Sequence, residues 1–239
     1  MTRPHPATNA TRFTVGVAVM AWLLAYMAAL PLQGVLIAAT GHSGEKSDEW
    51  PISMTVLSIF CLWIPFVVAL IVVSRRWGQG RFVNDYKVRA RWVDLAGLPL
   101  GVVCQLLLVP AIYWPLQQIW SDAFSSDEIE QRARDLWDKA NGGWVIVLIV
   151  VVALGAPLIE ELVYRGLILQ ALQSRLNDWL ALLISAAWFA LIHLQPVELP
   201  GLFVFALVLG ICFQRTGRLG MAIFAHIGFN AAGLLLASQ

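Results

Sequence analysis

Three short segments hold side chains that are costly in apolar surroundings. They are Glu160-Glu161-Leu-Val-Tyr-Arg165, Phe189-Ala-Leu-Ile-His193 and His226-Ile-Gly-Phe-Asn230, each set in hydrophobic sequence. A charged side chain at the centre of a membrane helix costs about 2.5–3.5 kcal/mol on insertion scales. Glu161 and Arg165, four residues apart, can pair along a helix and offset that cost. Glu160 is turned about 100° away and has no partner in that scheme. His226 and Asn230, also four apart, share a helix face. Either histidine alone could simply bond a backbone carbonyl. Two glutamates, two histidines and an asparagine on three segments point instead to a shared polar site.

Carboxylate and imidazole together are the pair that activates water. An apolar cavity penalises the ionised form of a glutamate, so such a group can take a proton from water and return it to a leaving amine. A nearby histidine can orient that water. A histidine and an asparagine on one face can donate to a developing oxyanion. No Gly-x-Ser-x-Gly elbow is present and no cysteine lies in the three segments, so a serine or cysteine nucleophile has little support. Zinc held by Glu160, His193 and His226 is the competing use of the same residues, although the contiguous HExxH pattern is absent.

The elements that position these groups follow from composition. Of 239 residues, 59% are hydrophobic and 13% charged. A soluble domain carries about 25% charge, which argues against one soluble core, and disorder needs the opposite bias. The expected fold is all-α: a polytopic transmembrane helical bundle of about seven spans, within a range of six to eight, at about 20 residues each. The spans read as Phe13–Ala39, Ile52–Ser74, Leu95–Trp120, Trp144–Gln173, Trp179–Leu194, Leu199–Phe213 and Leu219–Ala237. Pro99, Pro110 and Pro115 are expected to kink or break the third. Several tryptophans, among them Trp50, Trp77, Trp120, Trp144 and Trp179, fall near span ends, as interfacial indoles do. Cys61, Cys104 and Cys212 lie in apolar runs with no CxxC pair and read as packing residues.

Loop charges give an orientation. Arg3, Arg12, Arg75, Arg76, Arg81, Lys87, Arg89, Arg91, Arg175, Arg215 and Arg218 fall on one side, and Lys46, Arg132, Arg134 and Lys139 on the other. The positive-inside rule places the N-terminus in the cytoplasm. On the outer side, 121–143 reads as a short amphipathic helix. Asp127 and Glu128 fall in its first turn, Ile129, Ala133, Leu136, Trp137 and Ala140 on one face, and its stop near Asn141-Gly142-Gly143. It is expected to lie at the interface, with a substrate gate as the alternative. Net charge is +1, so no global field points to nucleic acid. Depth is consistent for two of the motifs: Glu160 lies 17 residues before Asn177 and His193 16 after it, each about 24 Å from that turn. His226, nine residues past Gly217, reaches only about 13 Å if its helix runs straight. Tilt, a short sixth span or a turn set inside the membrane would each close the gap.

The three segments, in this order, resemble the membrane-embedded CPBP family, which includes the type II CAAX prenyl endopeptidases and the bacteriocin-processing Abi proteins. Its pattern is EExxxR, FxxxH and HxxxN on successive membrane helices. The resemblance covers about Trp144 to Ala237, so the chain divides into a variable N-terminal transmembrane region, 1–143, and a catalytic transmembrane domain, 144–239. It implies an intramembrane endopeptidase. Glu160 would be the general base and His193 would hold the attacking water. His226 and Asn230 would stabilise the oxyanion, and Glu161 and Arg165 would shape the site by pairing. That mechanism requires no cofactor; a divalent metal such as zinc on Glu160, His193 and His226 is the alternative. The implied partners are the lipid bilayer and a membrane-associated peptide or protein substrate, and the implied location is the cell membrane. Eukaryotic members trim the last three residues of a prenylated CAAX protein, whereas bacterial-looking relatives are linked to bacteriocin maturation, self-immunity or membrane-protein processing. Two other functions suit the same residues: a non-catalytic membrane scaffold or bacteriocin self-immunity factor, and a proton-coupled transporter. The lack of a detectable inverted repeat counts against the transporter.

Overall fold

The computed structural model describes residues 13–239, and within them every side chain except those of 126–130 and 132. Arg3, Arg12 and the side chains of Asp127, Glu128, Ile129 and Arg132 thus lie outside the described residues. The described residues are mainly helical, with no strand among them. Eight main helices follow one another: α1 (Val15–Thr40), α2 (Ile52–Trp77), α3 (Trp92–Ile119), α4 (Ser126–Lys139), α5 (Gly143–Gln173), α6 (Asp178–Leu191), α7 (Leu199–Thr216) and α8 (Gly220–Ala237). A single helical turn, Phe82–Asp85, sits between α2 and α3. Among the described residues, six of these helices are long and apolar enough to cross a membrane, all but α4 and α6. The molecule is a polytopic helical bundle.

Local chemistry sets the ends. Thr14 accepts from the Val17 amide and Asn177 from the Leu180 amide, so α1 and α6 each start on a side-chain cap. Gly41 and Gly217 close α1 and α7 in the left-handed conformation that glycine adopts without steric cost. The prolines of the third span do not break it. Proline offers no N–H, and the helix widens just before Pro110, where the Val109 amide reaches back five residues to Cys104 O. The same device precedes Pro157 in α5, where Ala156 N–H bonds Val151 O. A second wide stretch, Leu162–Leu169, follows the two glutamates. Glu160 and Glu161 therefore sit on a short α-helical piece between two π-helical ones, a feature that recurs at functional sites.

The fifth span differs from expectation. Helix α6 has 14 residues and reaches only about 21 Å. It ends at Leu191, so His193 lies in the turn beyond it rather than on the helix.

The closest packing in the bundle joins α3 to α8. Gly97 and Gly101 lie one turn apart, a small-xxx-small pattern that lets helix backbones touch. A Cβ at Gly101 would stand 1.8 Å from Ala225 O, and one at Gly228 would stand 2.2 Å from Leu98 O. No side chain fits between these helices, and their contact fixes the depth of His226, one residue from Ala225. Gly101→Ala is expected to cost about 1–3 kcal/mol through overpacking, measured as a lower unfolding temperature in detergent. An unchanged transition would mean that α8 is not held by this contact.

The start of α8 packs against residues 86–94, and Leu219 and Gly220 are buried there. Leu219 N–H donates to Lys87 O at 3.0 Å and Gly220 N–H to Arg89 O at 3.1 Å. Asp94, wholly buried, accepts from Arg218 Nε at 2.8 Å and Nη2 at 2.7 Å, and from the Arg91 amide at 2.7 Å. Residues 86–94 thus anchor the start of α8.

Helix α4 exists as the amphipathic pattern requires. Leu136, Trp137 and Ala140 pack on a cluster formed by Ile52, Val56, Leu148 and Leu234. Lys139 Nζ bonds Asp48 O in the α1–α2 loop. Its apolar face is therefore turned against the bundle.

Candidate active site

The three polar segments converge on one place. Glu161 is wholly buried, and its Oε1 accepts from Arg165 Nη1 at 2.8 Å, the i, i+4 pair expected from the sequence. The same oxygen lies 2.9 Å from His226 Nδ1. Arg165, also buried, donates from Nη2 to Ala206 O on α7 at 2.9 Å, and its guanidinium lies over the Phe189 ring, 4.9 Å from the centroid. One carboxylate and one guanidinium thus tie α5 to α8, α7 and α6. Glu161 Oε2 has no partner within the described residues, so a single oxygen carries both contacts.

Glu160 takes no part in that knot. Its side chain is 26% exposed, to a cavity, and its Oε2 lies 3.7 Å from His226 Nε2. This answers the question the helical geometry raised, because the glutamate turned away from the Glu161–Arg165 pair is the one that faces open space. His226 stands between the two carboxylates, with Phe205 and Phe189 edge-on to its ring at 5.5 and 5.9 Å.

His193 reaches the same cavity from the turn after α6. Its Nδ1 lies 2.7 Å from Phe189 O. A carbonyl only accepts, so Nδ1 carries the hydrogen and Nε2 of the neutral ring keeps its lone pair. Asn230 Nδ2 donates to Val152 O at 2.8 Å, which leaves the second amide hydrogen uncommitted by that bond. Of the six residues singled out from the sequence, Glu160, His193, His226 and Asn230 line the cavity, while Glu161 and Arg165 form its buried support.

The cavity holds about 500 Å³, within the range of ligand sites. Its walls are mainly apolar and aromatic, with Tyr26, Trp63, Phe66, Tyr164 and Phe229 prominent. Two contributors were not legible in the motifs. Tyr113 on α3 donates to Val197 O at 2.7 Å and accepts from the Gly201 amide at 3.2 Å, which anchors the far end of the turn that carries His193. Ala133 and Leu136 of α4 also line the space. The amphipathic face expected at the interface therefore forms part of the cavity wall. Among the described residues, no three His, Cys, Asp or Glu side chains are grouped to hold a metal ion.

Fold and site define a class: a polytopic membrane helical bundle with a carboxylate–imidazole cluster in an apolar cavity. Residues 142–232 match the family "Type II CAAX prenyl endopeptidase Rce1-like", which bears out the resemblance carried by the three motifs and supports, at the level of the family, a CAAX-protease-like membrane peptidase. The "Putative membrane peptidase YdiL" of Bacillus subtilis (strain 168) is 30% identical over 86 residues, 36% of this chain and 35% of that protein. An "Uncharacterized 24.3 kDa protein" of Escherichia coli is 25% identical over 208 residues, 85% of each chain. No solved structure matches the chain.

Proposed function

We propose that the chain is an intramembrane endopeptidase of the cell membrane that hydrolyses a peptide bond of a membrane-associated protein with a water activated by Glu160 and His193. The observation that carries this reading is the contrast between the two adjacent glutamates. Glu161 is committed to Arg165 and His226, whereas Glu160 opens on the cavity. A carboxylate kept only for structure has no need of that exposure.

In the proposed reaction a water sits between Glu160 and Nε2 of His193. Glu160 takes one proton as the water oxygen bonds to the substrate carbonyl carbon. The carbonyl π electrons move to oxygen, and the tetrahedral intermediate carries that oxyanion. The second amide hydrogen of Asn230 can donate to it. So can Nε2–H of His226 when that ring holds two protons, Nδ1–H remaining on Glu161. Collapse breaks the C–N bond, and Glu160 returns its proton to the leaving amine. Glu161 and Arg165 act through His226 and the helix positions, not on the substrate.

This route draws on no cofactor. Full activity is expected in protein that elemental analysis finds free of zinc; activity lost on chelation and restored by zinc would assign Glu160, His193 and His226 to a metal instead. The N-terminus is proposed to be cytoplasmic from the loop charges, and nucleic acid is not a proposed partner.

The direct test is a comparison of protein termini in membrane fractions of cells that carry the chain or its Glu160→Ala variant. New termini confined to the unaltered chain would support the proposal and name the substrate. Identical termini in both, with any immunity phenotype intact in Glu160→Ala, would favour a non-catalytic role.

A further inference from the structure

The two ends of the bundle are chemically different, and the cavity belongs to only one of them. At one end lie the loops 78–91, 174–177 and 217–219. They and the helix ends beside them are held together: Lys87 and Arg89 carbonyls accept from Leu219 and Gly220, Lys87 Nζ lies 5.2 Å from the Phe213 ring centroid, and Gln214 Nε2 donates to Asp178 O at 2.9 Å. Arg75, Arg76, Arg81, Lys87, Arg89, Arg91, Arg175, Arg215 and Arg218 all sit at this end. The opposite end gathers the α1–α2 loop, α4 and the turn before α7, through Lys139 to Asp48 O and Tyr113 to Val197 O.

The cavity has its floor at Glu160, His226 and Tyr164, near mid-depth in α5. From there it runs through Val109, Tyr113, Ile59 and Leu234 to Ala133, Leu136 and Glu198. Every step along that path leads toward the end of the bundle with few basic residues. No described residue of 78–91, 174–177 or 217–219 lines it. Below the floor the bundle is solid: Leu167, Ile168, Leu169, Ala171, Phe213 and Tyr86 are each at most 2% exposed. Basic loops stay on the cytoplasmic side of a membrane.

We propose that the cavity is loaded from the non-cytoplasmic face, and that its substrate is a membrane-anchored polypeptide whose scissile bond lies at or just below that face, not a cytoplasmic tail. The choice of substrate rests on the peptidase reading; the direction of access does not.

Gly233 and Ala133 both line the cavity, and Gly233 has nothing closer to a Cβ than Gln105 at 3.8 Å. Gly233→Cys and Ala133→Cys are placed in the full chain with Cys61, Cys104 and Cys212 changed to Ala, beside an Arg89→Cys control. A membrane-impermeant methanethiosulfonate is added to right-side-out and to inverted vesicles. The two cavity cysteines are expected to react in right-side-out vesicles and be spared in inverted ones, with Arg89→Cys showing the reverse. Reaction of the cavity cysteines from the same face as Arg89→Cys, or from neither face, overturns the access path. Reaction of Arg89→Cys in right-side-out vesicles overturns the orientation. If the cysteine-free background fails to fold, the native cysteines are kept and each variant is read against that chain, since Cys104 and Cys212 are buried. Undiminished cleavage by Glu160→Ala would remove the peptidase reading and leave the labelling result intact, so the two failures read separately.

Discussion

Glu160→Gln is expected to lower the rate of hydrolysis by about 10²–10⁴-fold, the usual share of a general base, while the protein unfolds at the temperature of its parent. The substitution keeps the size of the side chain and removes its ability to take a proton. It should be structurally mild because Glu160 faces the cavity and the nearby ring nitrogen of His226, Nε2, is 3.7 Å away, beyond hydrogen-bond range. The measurement is a turnover rate on a substrate named by the termini comparison, with a thermal scan of the same preparation. Retained turnover would remove Glu160 from the chemistry. A fallen transition temperature would instead assign it to the fold.

The opposite pattern is expected five residues along, at the cation paired with Glu161. Arg165→Met should cost about 3–5 kcal/mol, because it leaves a buried carboxylate without its cation. Glu161 is 0% exposed, and both of its hydrogen bonds use Oε1. Loss of Arg165 also frees Ala206 O, which ties α5 to α7. The double variant Glu161→Leu with Arg165→Met should recover most of the lost stability, since buried ion pairs replaced by apolar side chains are often neutral or better. It should not recover turnover, because His226 then has no acceptor at Nδ1. An Arg165→Met protein that melts with the parent would show that the knot does not hold these helices.

Much of this was legible in the residues. Apolar runs of span length locate the helices, since the chain must bury its backbone polar groups within each span. The candidate site was legible because charged and imidazole side chains are costly there, so their presence on three apolar segments marks a common destination. What escaped depends on contacts between distant parts of the chain. Tyr113 bonds Val197 across 84 positions and Arg218 bonds Asp94 across 124, and neither leaves a local pattern. Gly97-Leu-Pro-Leu-Gly101 was in plain view, but a small-xxx-small pattern does not name the helix it meets. The prolines of α3 lead one to expect a kink or a break because the rule for proline concerns a lost N–H. A helix can instead widen by one residue and remain continuous, and only the three-dimensional chain shows which occurs. His193 falls on the fifth span in the sequence because the apolar run continues to Leu194. The helix instead ends at Leu191, and the turn beyond it brings His193 Nδ1 to Phe189 O, a backbone-carbonyl bond of the kind open to either histidine.

The bond between Glu161 and His226 has a consequence for how the proposed site comes into being. Its two ends lie 65 residues apart, and the start of α8 packs against a loop synthesised more than a hundred residues before it. A chain still leaving the ribosome with α8 uninserted holds the proposed base but neither His226 nor Asn230. The proposed cluster is complete only once that helix slides into place, so on the peptidase reading an unfinished chain does not cut the membrane proteins around it.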